Sequence, residues 1–399
     1  MKRKVNPLTS KNFTGLKLTK PAEYAAGAEA VKVAMEHIFA EMGPVRAFKA
    51  LSKLNQKKGF DCPGCAWPDP DDKRSVLGEY CENGAKAIAE EATLKKVDVS
   101  FFEKHTIEEI SEWSDLEIGK SGRLTEPMVL HQDSLHYKPI SWEDAFSLIA
   151  DHLQKLETPD QAIFYTSGRS SNEAAFLYQL FVRAYGTNNL PDCSNMCHES
   201  SGIALGETLG IGKRSVKLED FYEAELILVM GQNPGTNHPR MLSALQKAKR
   251  NGAKIVSVNP IKETGLLSFS HPQEIKSALG VATPLSDHYL QIRLNADMAL
   301  VQAVVKLLLL VEDESPGTVF DWEFIKSKTA GIECYLAHIR TLDDDTLISS
   351  TGINKDEILA LVDLLVHKQK IIVCWAMGLT QHRNGVQNIR EIVNLLLMR

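Results

Sequence analysis

The sulfur residues have the most chemistry to offer. Cys62-Pro63-Gly64-Cys65 sets two thiols two residues apart, and Cys81 opens the run Cys81-Glu82-Asn83-Gly84-Ala85-Lys86. A two-residue spacer lets one turn aim both sulfurs at a single metal, and Gly64 permits the tight geometry. Thiolates suit zinc and iron–sulfur clusters alike, so spacing does not choose between them. A redox dithiol or a fortuitous pair is the reading without metal. Asp69, four residues after Cys65, either ligates or caps a turn. Farther along, Cys197 adjoins His198, a candidate thiolate beside a proton acceptor. Cys193 is a second ligand or a small packed residue. Cys334 and Cys374 lie in apolar, patterned segments and read as core.

Positioning these groups falls to the surrounding elements. Residues 1–20 are polar and lysine-rich and read as a loose arm. Ala, Val and Met at three-to-four spacing predict a helix over 22–56. Gly, Pro, Cys, Asp and Trp crowd residues 57–85, an irregular stretch that a metal centre would hold. From 137 the pattern alternates. Strands are expected at 162–166, 226–230, 254–258 and 371–375, with helices at 171–186, 237–251, 297–311, 355–367 and 386–398. Alternation of this kind predicts an α/β fold with parallel sheets covered on both faces. Residues 188–199, which include Cys193 and Cys197, read as a loop between helical stretches.

In such sheets ligands sit beyond the carboxyl ends of the strands. Three strand ends carry polar, Gly-containing loops: Gly231-Gln232-Asn233-Pro234-Gly235-Thr236-Asn237-His238-Pro239, Asn259-Pro260, and Met377-Gly378-Leu379-Thr380-Gln381. The first offers backbone donors before a helix, a seat for phosphate. Each alone is also ordinary turn chemistry. Together they point to a large ligand with phosphates and a base. No GxGxxG fingerprint, Walker A lysine or GxSxG elbow appears, which argues against a standard dinucleotide site or an α/β hydrolase.

The chain has 399 residues, 44% of them apolar, with a formal net charge of -6. That length predicts two or three domains. No basic stripe marks a nucleic-acid partner, no apolar run reaches membrane-spanning length, and no leader pattern is visible. A cytoplasmic protein is therefore expected, in which seven cysteines serve as ligands, reactive thiols or core residues rather than disulfides.

Taken in order, the CxxC pair, Cys81 with Lys86, Ser167-Gly168-Arg169 and Cys197-His198 are followed by the Gly-x-Asn-Pro loop and Met-Gly-x-Thr-Gln. This order resembles the formate dehydrogenase-like molybdopterin oxidoreductases. Gly59–Asp69 and Asp192–His198 look like the branch named after YdeP. The resemblance covers residues 40–399. It implies the multi-domain molybdopterin oxidoreductase fold, with a small irregular cysteine-cluster region near the N-terminus. The implied regions are 1–43, an arm and helix; 44–136, the cluster region; 137–370, the α/β cofactor-binding domains; and 371–399, the start of a further α/β segment.

By the same resemblance, Cys62, Cys65 and Cys81 match ligands of a [4Fe–4S] cluster. The family pattern has a fourth Cys where this chain has Asp69. Lys86 matches the lysine between cluster and pterin. Cys197 matches the molybdenum ligand and His198 its neighbouring proton acceptor. Ser167, Gly168, Arg169, Gly231, Asn233, Pro234, Asn237, Asn259, Asp297, Met377, Gly378 and Gln381 match contacts to a molybdenum-bis(molybdopterin guanine dinucleotide) cofactor. Family members usually carry Asp where this chain has Asn259. The implied reaction is a two-electron oxidation of formate or a similar small molecule, with electrons passed to the cluster and on to an electron-transfer protein. Relatives continue past this chain's last helix, so a truncated chain that is inactive alone is expected. The alternative is a degenerate family member or fragment acting as a binding module.

Overall fold

A computed structural model describes residues 20–399 apart from 66, 72, 167, 169 and 192; the expected N-terminal arm lies almost wholly outside them. The chain forms two compact units. The first takes residues 32–64 and 76–192, and the second residues 22–31, 65–75 and 193–399.

Helix α1 (Gly27–Leu51), which belongs to the first unit from Lys32 onward, is broken at Gly43, whose φ of 66° and the following Pro44 interrupt the hydrogen-bond ladder. Ile38, Met42, Ala47 and Leu51 bury one face of α1 against Ala85, Ile88 and Ala89 of helix α2 (Glu82–Glu91). Glu41 is buried beside them. Burial opposes its charge, but hydrogen bonds from Lys95 at 2.6 Å and Thr93 at 2.7 Å outweigh that and hold its carboxyl below the usual range. Helices α3 (Trp142–Gln154) and α4 (Asn172–Tyr185) follow, each started by a serine cap; Gly186 ends α4 as expected. The expected strand at 162–166 is a correction. The segment is extended, Phe164 N–H donates to Asn189 at 2.9 Å, and no ladder forms among the described residues.

The second unit is built on a four-stranded parallel sheet. Its strands are β1 (Leu226–Met230), β2 (Lys254–Asn259), β3 (His288–Gln291) and β4 (Ile371–Trp375), in spatial order β3-β2-β1-β4. All five residues of β1 are buried because both faces are covered. Leu226, Leu228 and Met230 face helices α7 (Asp297–Glu314), α8 (Lys355–His367) and α9 (Gly385–Met398). Ile227 and Val229 face Met241, Leu242, Leu245 and Ala248 of helix α6 (Pro239–Arg250). The strand order reverses between β1 and β4. That reversal makes the carboxyl ends of β1 and β4 the switch point of the sheet.

Residues 188–199 correct the sequence reading. Cys193–Leu209 is a helix, α5, kinked at His198, where φ is −132° and ψ is 16°. Its first two turns are polar, so no apolar period announces it. Cys334 is exposed rather than core. Burial pushes the Cys374 thiol up to about 12, as expected of an inert core cysteine.

Candidate active site

The carboxyl edge of the sheet gathers most of the expected residues of the second unit through hydrogen bonds and backbone packing. Gly231 follows β1 with φ of 57°, a conformation glycine adopts without strain. A Cβ there would lie 2.5 Å from Leu379 Cδ1, and one on Gly378 would lie 2.5 Å from Gly231 O. Gly378 N–H donates to Gly231 O at 3.1 Å. The loops after β1 and β4 therefore meet backbone to backbone at the switch point, a contact that any side chain would prop apart.

Cys197 is joined to this contact. Thr380 Oγ1 donates to the Cys197 carbonyl at 2.6 Å, Ser200 Oγ donates to the Thr380 carbonyl at 2.9 Å, and Trp375 Nε1 donates to Ser201 Oγ at 2.9 Å. These three bonds fix the kinked start of α5 over the ends of β4 and its loop. The kink at His198 takes the Cys-His pair out of regular helix.

On the β1 side, Asn259 Nδ2 donates to the Gln232 carbonyl at 3.0 Å, tying the end of β2 to the first loop. Asn233 caps the short turn Pro234–Asn237 and donates to Glu263 at 2.7 Å. Gln232 Nε2 approaches His238 Nδ1 at 3.3 Å. Burial, and then the nearby His198, push the His238 imidazole below its ordinary pKa; partial burial does the same to His198. Burial thus favours the uncharged form of both rings. Asp297, at the start of α7, is buried, and burial raises its carboxyl pKa against the opposing influence of His382. His382 Nε2 in turn contacts the Gly378 carbonyl at 2.8 Å.

The edge of the sheet thus collects Cys197, His198, Gly231, Asn233, Pro234, Asn259, Asp297 and Gly378. Asn237, Met377 and Gln381 lie exposed on the same loops. Sequence reading missed Thr380, Ser200 and the side-chain roles of Gln232 and His238. His238 was visible in its loop, but nothing in the local pattern showed its ring facing His198.

Two thiols of the expected cluster stand together in the first unit. Cys81 caps α2, and its sulfur accepts from Gly84 N–H at 3.4 Å. Cys62 Sγ accepts from Gly64 N–H at 3.3 Å. A Cβ on Gly84 would lie 2.7 Å from Cys62 Sγ, so the absent side chain is what admits that sulfur beside α2. Cys65 belongs to the second unit. Among the described residues no group of three or more His, Cys, Asp or Glu side chains is set to hold a metal ion. Lys86 pairs with Glu82 one turn back at 2.5 Å. Gly168 lies in a turn of the first unit closed by Thr166 and Ser170 hydroxyls at 2.8 Å. Ser167, Arg169 and the Cys193 side chain lie outside what is described.

Comparison with known proteins agrees with this architecture. The molybdopterin oxidoreductase family model matches residues 123–399. The chain is 51% identical over 375 residues to an uncharacterized oxidoreductase of Mycobacterium tuberculosis, covering 94% of this chain and 48% of that protein. It is 42% identical over 380 residues to protein YdeP of Escherichia coli, covering 94% and 50%. Identity to formate dehydrogenase H of Escherichia coli is 27% over 281 residues, covering 69% and 36%. The chain spans about half the length of the first two of these relatives. Acetylene hydratase from Pelobacter acetylenicus shares the fold, with a TM-score of 0.53 at 19% identity over 66% of this chain and 33% of that one.

Proposed function

The chain belongs to the molybdopterin oxidoreductase family, and from that premise we propose that it carries the molybdenum-ligating part of a formate dehydrogenase-like enzyme. The observation that supports this most is the placement of Cys197 at the switch point between β1 and β4, tied there by Thr380. A molybdenum-bis(molybdopterin guanine dinucleotide) bound at that edge would supply a centre for two-electron oxidation of formate or a similar small molecule.

The residues fit such a group on two counts. Gln232, 7% exposed, has its Oε1 buried with no hydrogen-bond partner. A buried acceptor in this state calls for a donor from outside the chain, as a guanine or pterin N–H would be. Asp297 is a second buried acceptor, and Asn259 offers an amide where a carboxylate would give a charge-assisted bond. In this reading Cys197 supplies a soft thiolate to the metal. His198, neutral at its lowered pKa, accepts a proton at an imidazole nitrogen. Gly231, Asn233, Pro234, Asn237, Asn259, Asp297, Met377, Gly378 and Gln381 seat the nucleotide portions, with Ser167, Gly168 and Arg169 as further contacts.

We further propose that Cys62, Cys65 and Cys81 hold an iron–sulfur cluster of the [4Fe–4S] class, with Gly64 and Gly84 amides donating to the sulfurs. Lys86 would bring a positive charge that favours the reduced form of such a cluster, and the acceptor we propose for its electrons is an electron-transfer protein. The reaction is placed in the cytoplasm, and among the described residues no helix is long and apolar enough to cross a membrane. The test is anaerobic purification of the full-length protein, as wild type and Cys197→Ser, with metal analysis. The wild type is expected to hold molybdenum and a reducible cluster, and the variant to lose molybdenum and formate turnover while keeping the cluster signal. Unchanged formate turnover in the variant would defeat the ligand assignment.

A further inference from the structure

Asp69 stands where the resemblance calls for a fourth cluster cysteine, and its surroundings assign it another task. Its Oδ1 accepts from Arg240 Nη1 at 2.5 Å, and its Oδ2 lies 3.5 Å from Arg74 Nη1. The three side chains are mostly buried, at 15% exposure for Asp69, 13% for Arg240 and 18% for Arg74. Both carboxylate oxygens therefore face guanidinium groups in a poorly solvated place, where an ion pair is hard to break without loss.

The position of Arg240 adds to this. It occupies the second residue of α6, next to Pro239. A cation there meets the positive end of the helix dipole, and a carboxylate alongside relieves that repulsion. Neighbouring contacts lay the same segment on the second unit. Arg74 Nε donates to the Pro70 carbonyl at 3.1 Å, Trp67 packs edge-on against Phe221 at 5.4 Å, and Ser75 Oγ donates to Gln273 at 2.7 Å. The ion triad sits midway along residues 65–75.

We propose that Asp69 is a positioning residue that clamps residues 65–75 to α6 and is not a cluster ligand. Resting on the cluster reading above, the ligand set proposed there then excludes Asp69, whose two carboxylate oxygens are engaged by Arg240 and Arg74. The geometry of the clamp stands whether or not a cluster is bound.

The test uses the 399-residue chain as wild type, Asp69→Ala, the milder Asp69→Asn, Arg240→Gln, and the Asp69→Ala/Arg240→Gln double variant. Thermal midpoints of the metal-free proteins come first. A clamp predicts that the double variant shifts the midpoint no further than the larger single change, because the Asp69–Arg240 pair is already lost in either single variant. Additive shifts would overturn it. Each chain is then loaded anaerobically with ferrous iron and sulfide, and electron paramagnetic resonance is recorded before and after cyanide. The proposal predicts equal iron content, the same starting spectrum and the same cyanide-induced change in wild type and Asp69→Asn. A cyanide response confined to the variant would place Asp69 on the iron and overturn the proposal. If the wild type assembles no cluster, the cluster reading fails by itself, and the midpoint cycle still decides the clamp.

Discussion

Cys197 is held through its main-chain carbonyl. Thr380 Oγ1 makes that bond at 2.6 Å from the loop after β4. Thr380→Val keeps the side-chain shape and removes the donor. It is expected to cost about 1 kcal/mol, the usual net worth of one hydrogen bond, measured as a lowered unfolding midpoint. Cys197→Ser keeps the main-chain carbonyl that Thr380 binds and should leave that midpoint nearly unchanged. The two variants thus separate a residue that orients the ligand from the ligand itself. His198 and His238 make a pH prediction at the same scale. Their folded pKa values are depressed, so the unfolded chain, titrating near an ordinary pKa of about 6.5, takes up protons first as pH falls. The stability present above that pH is lost on acidification below it. His238→Gln should flatten this loss in a series of unfolding midpoints from neutral to mildly acidic pH; an unchanged slope would contradict the assignment.

Among the elements, the contact between Gly231 and Gly378 sets how closely the loops after β1 and β4 approach. Gly378→Ala would put a Cβ 2.5 Å from a backbone oxygen that cannot rotate away. A loss of about 1–3 kcal/mol is expected, as for overpacking, with the loops forced apart. Calorimetry of the purified variant checks it. Glu312, at the end of α7, is a second test. It is 3% exposed and accepts from Gly317, Val319 and Phe320 amides and from Trp322 Nε1 at 2.5–3.2 Å. Burial works against its charge, yet these four donors prevail and lower its pKa. Its contribution is therefore present above the ordinary carboxylate range and lost as pH falls through the lowered pKa. Glu312→Gln should destabilise near pH 7 by about 1–3 kcal/mol, and the gap from wild type should close at strongly acidic pH.

These elements also show which features the sequence carried. Leu226–Met230, Ile371–Trp375 and Lys355–His367 were legible to the residue, because buried parallel strands and long amphipathic helices leave apolar runs with clear stops. Helix α5 was not, since its opening turns are polar and are held by Thr380 and Trp375, almost two hundred residues away in sequence. The strand expected at 162–166 failed for the converse reason: its β-branched and aromatic residues are extended, and Phe164 bonds to Asn189, but this does not grow into a ladder among the described residues. Of the site, the loop glycines and the Cys-His pair were visible in the sequence. The orphaned Gln232 oxygen and the engagement of Asp69 by Arg240 arise only when distant segments meet.

At the scale of the molecule, the second unit holds the sheet edge with Cys197, and the first holds Cys62 and Cys81 beside α2. The chain spans about half the length of its curated relatives, so the full reaction is proposed for the whole protein and its chemistry is tested through the ligand set. The central claim is that Cys197 ligates molybdenum at the switch point between β1 and β4. The measurement that reaches it most directly is X-ray absorption at the molybdenum edge of the protein purified from molybdate-supplied cells, compared between wild type and Cys197→Ser. The account predicts molybdenum with sulfur scatterers in the wild type, including one that disappears in the variant or takes the metal with it. An identical sulfur count and molybdenum content in both proteins would contradict it.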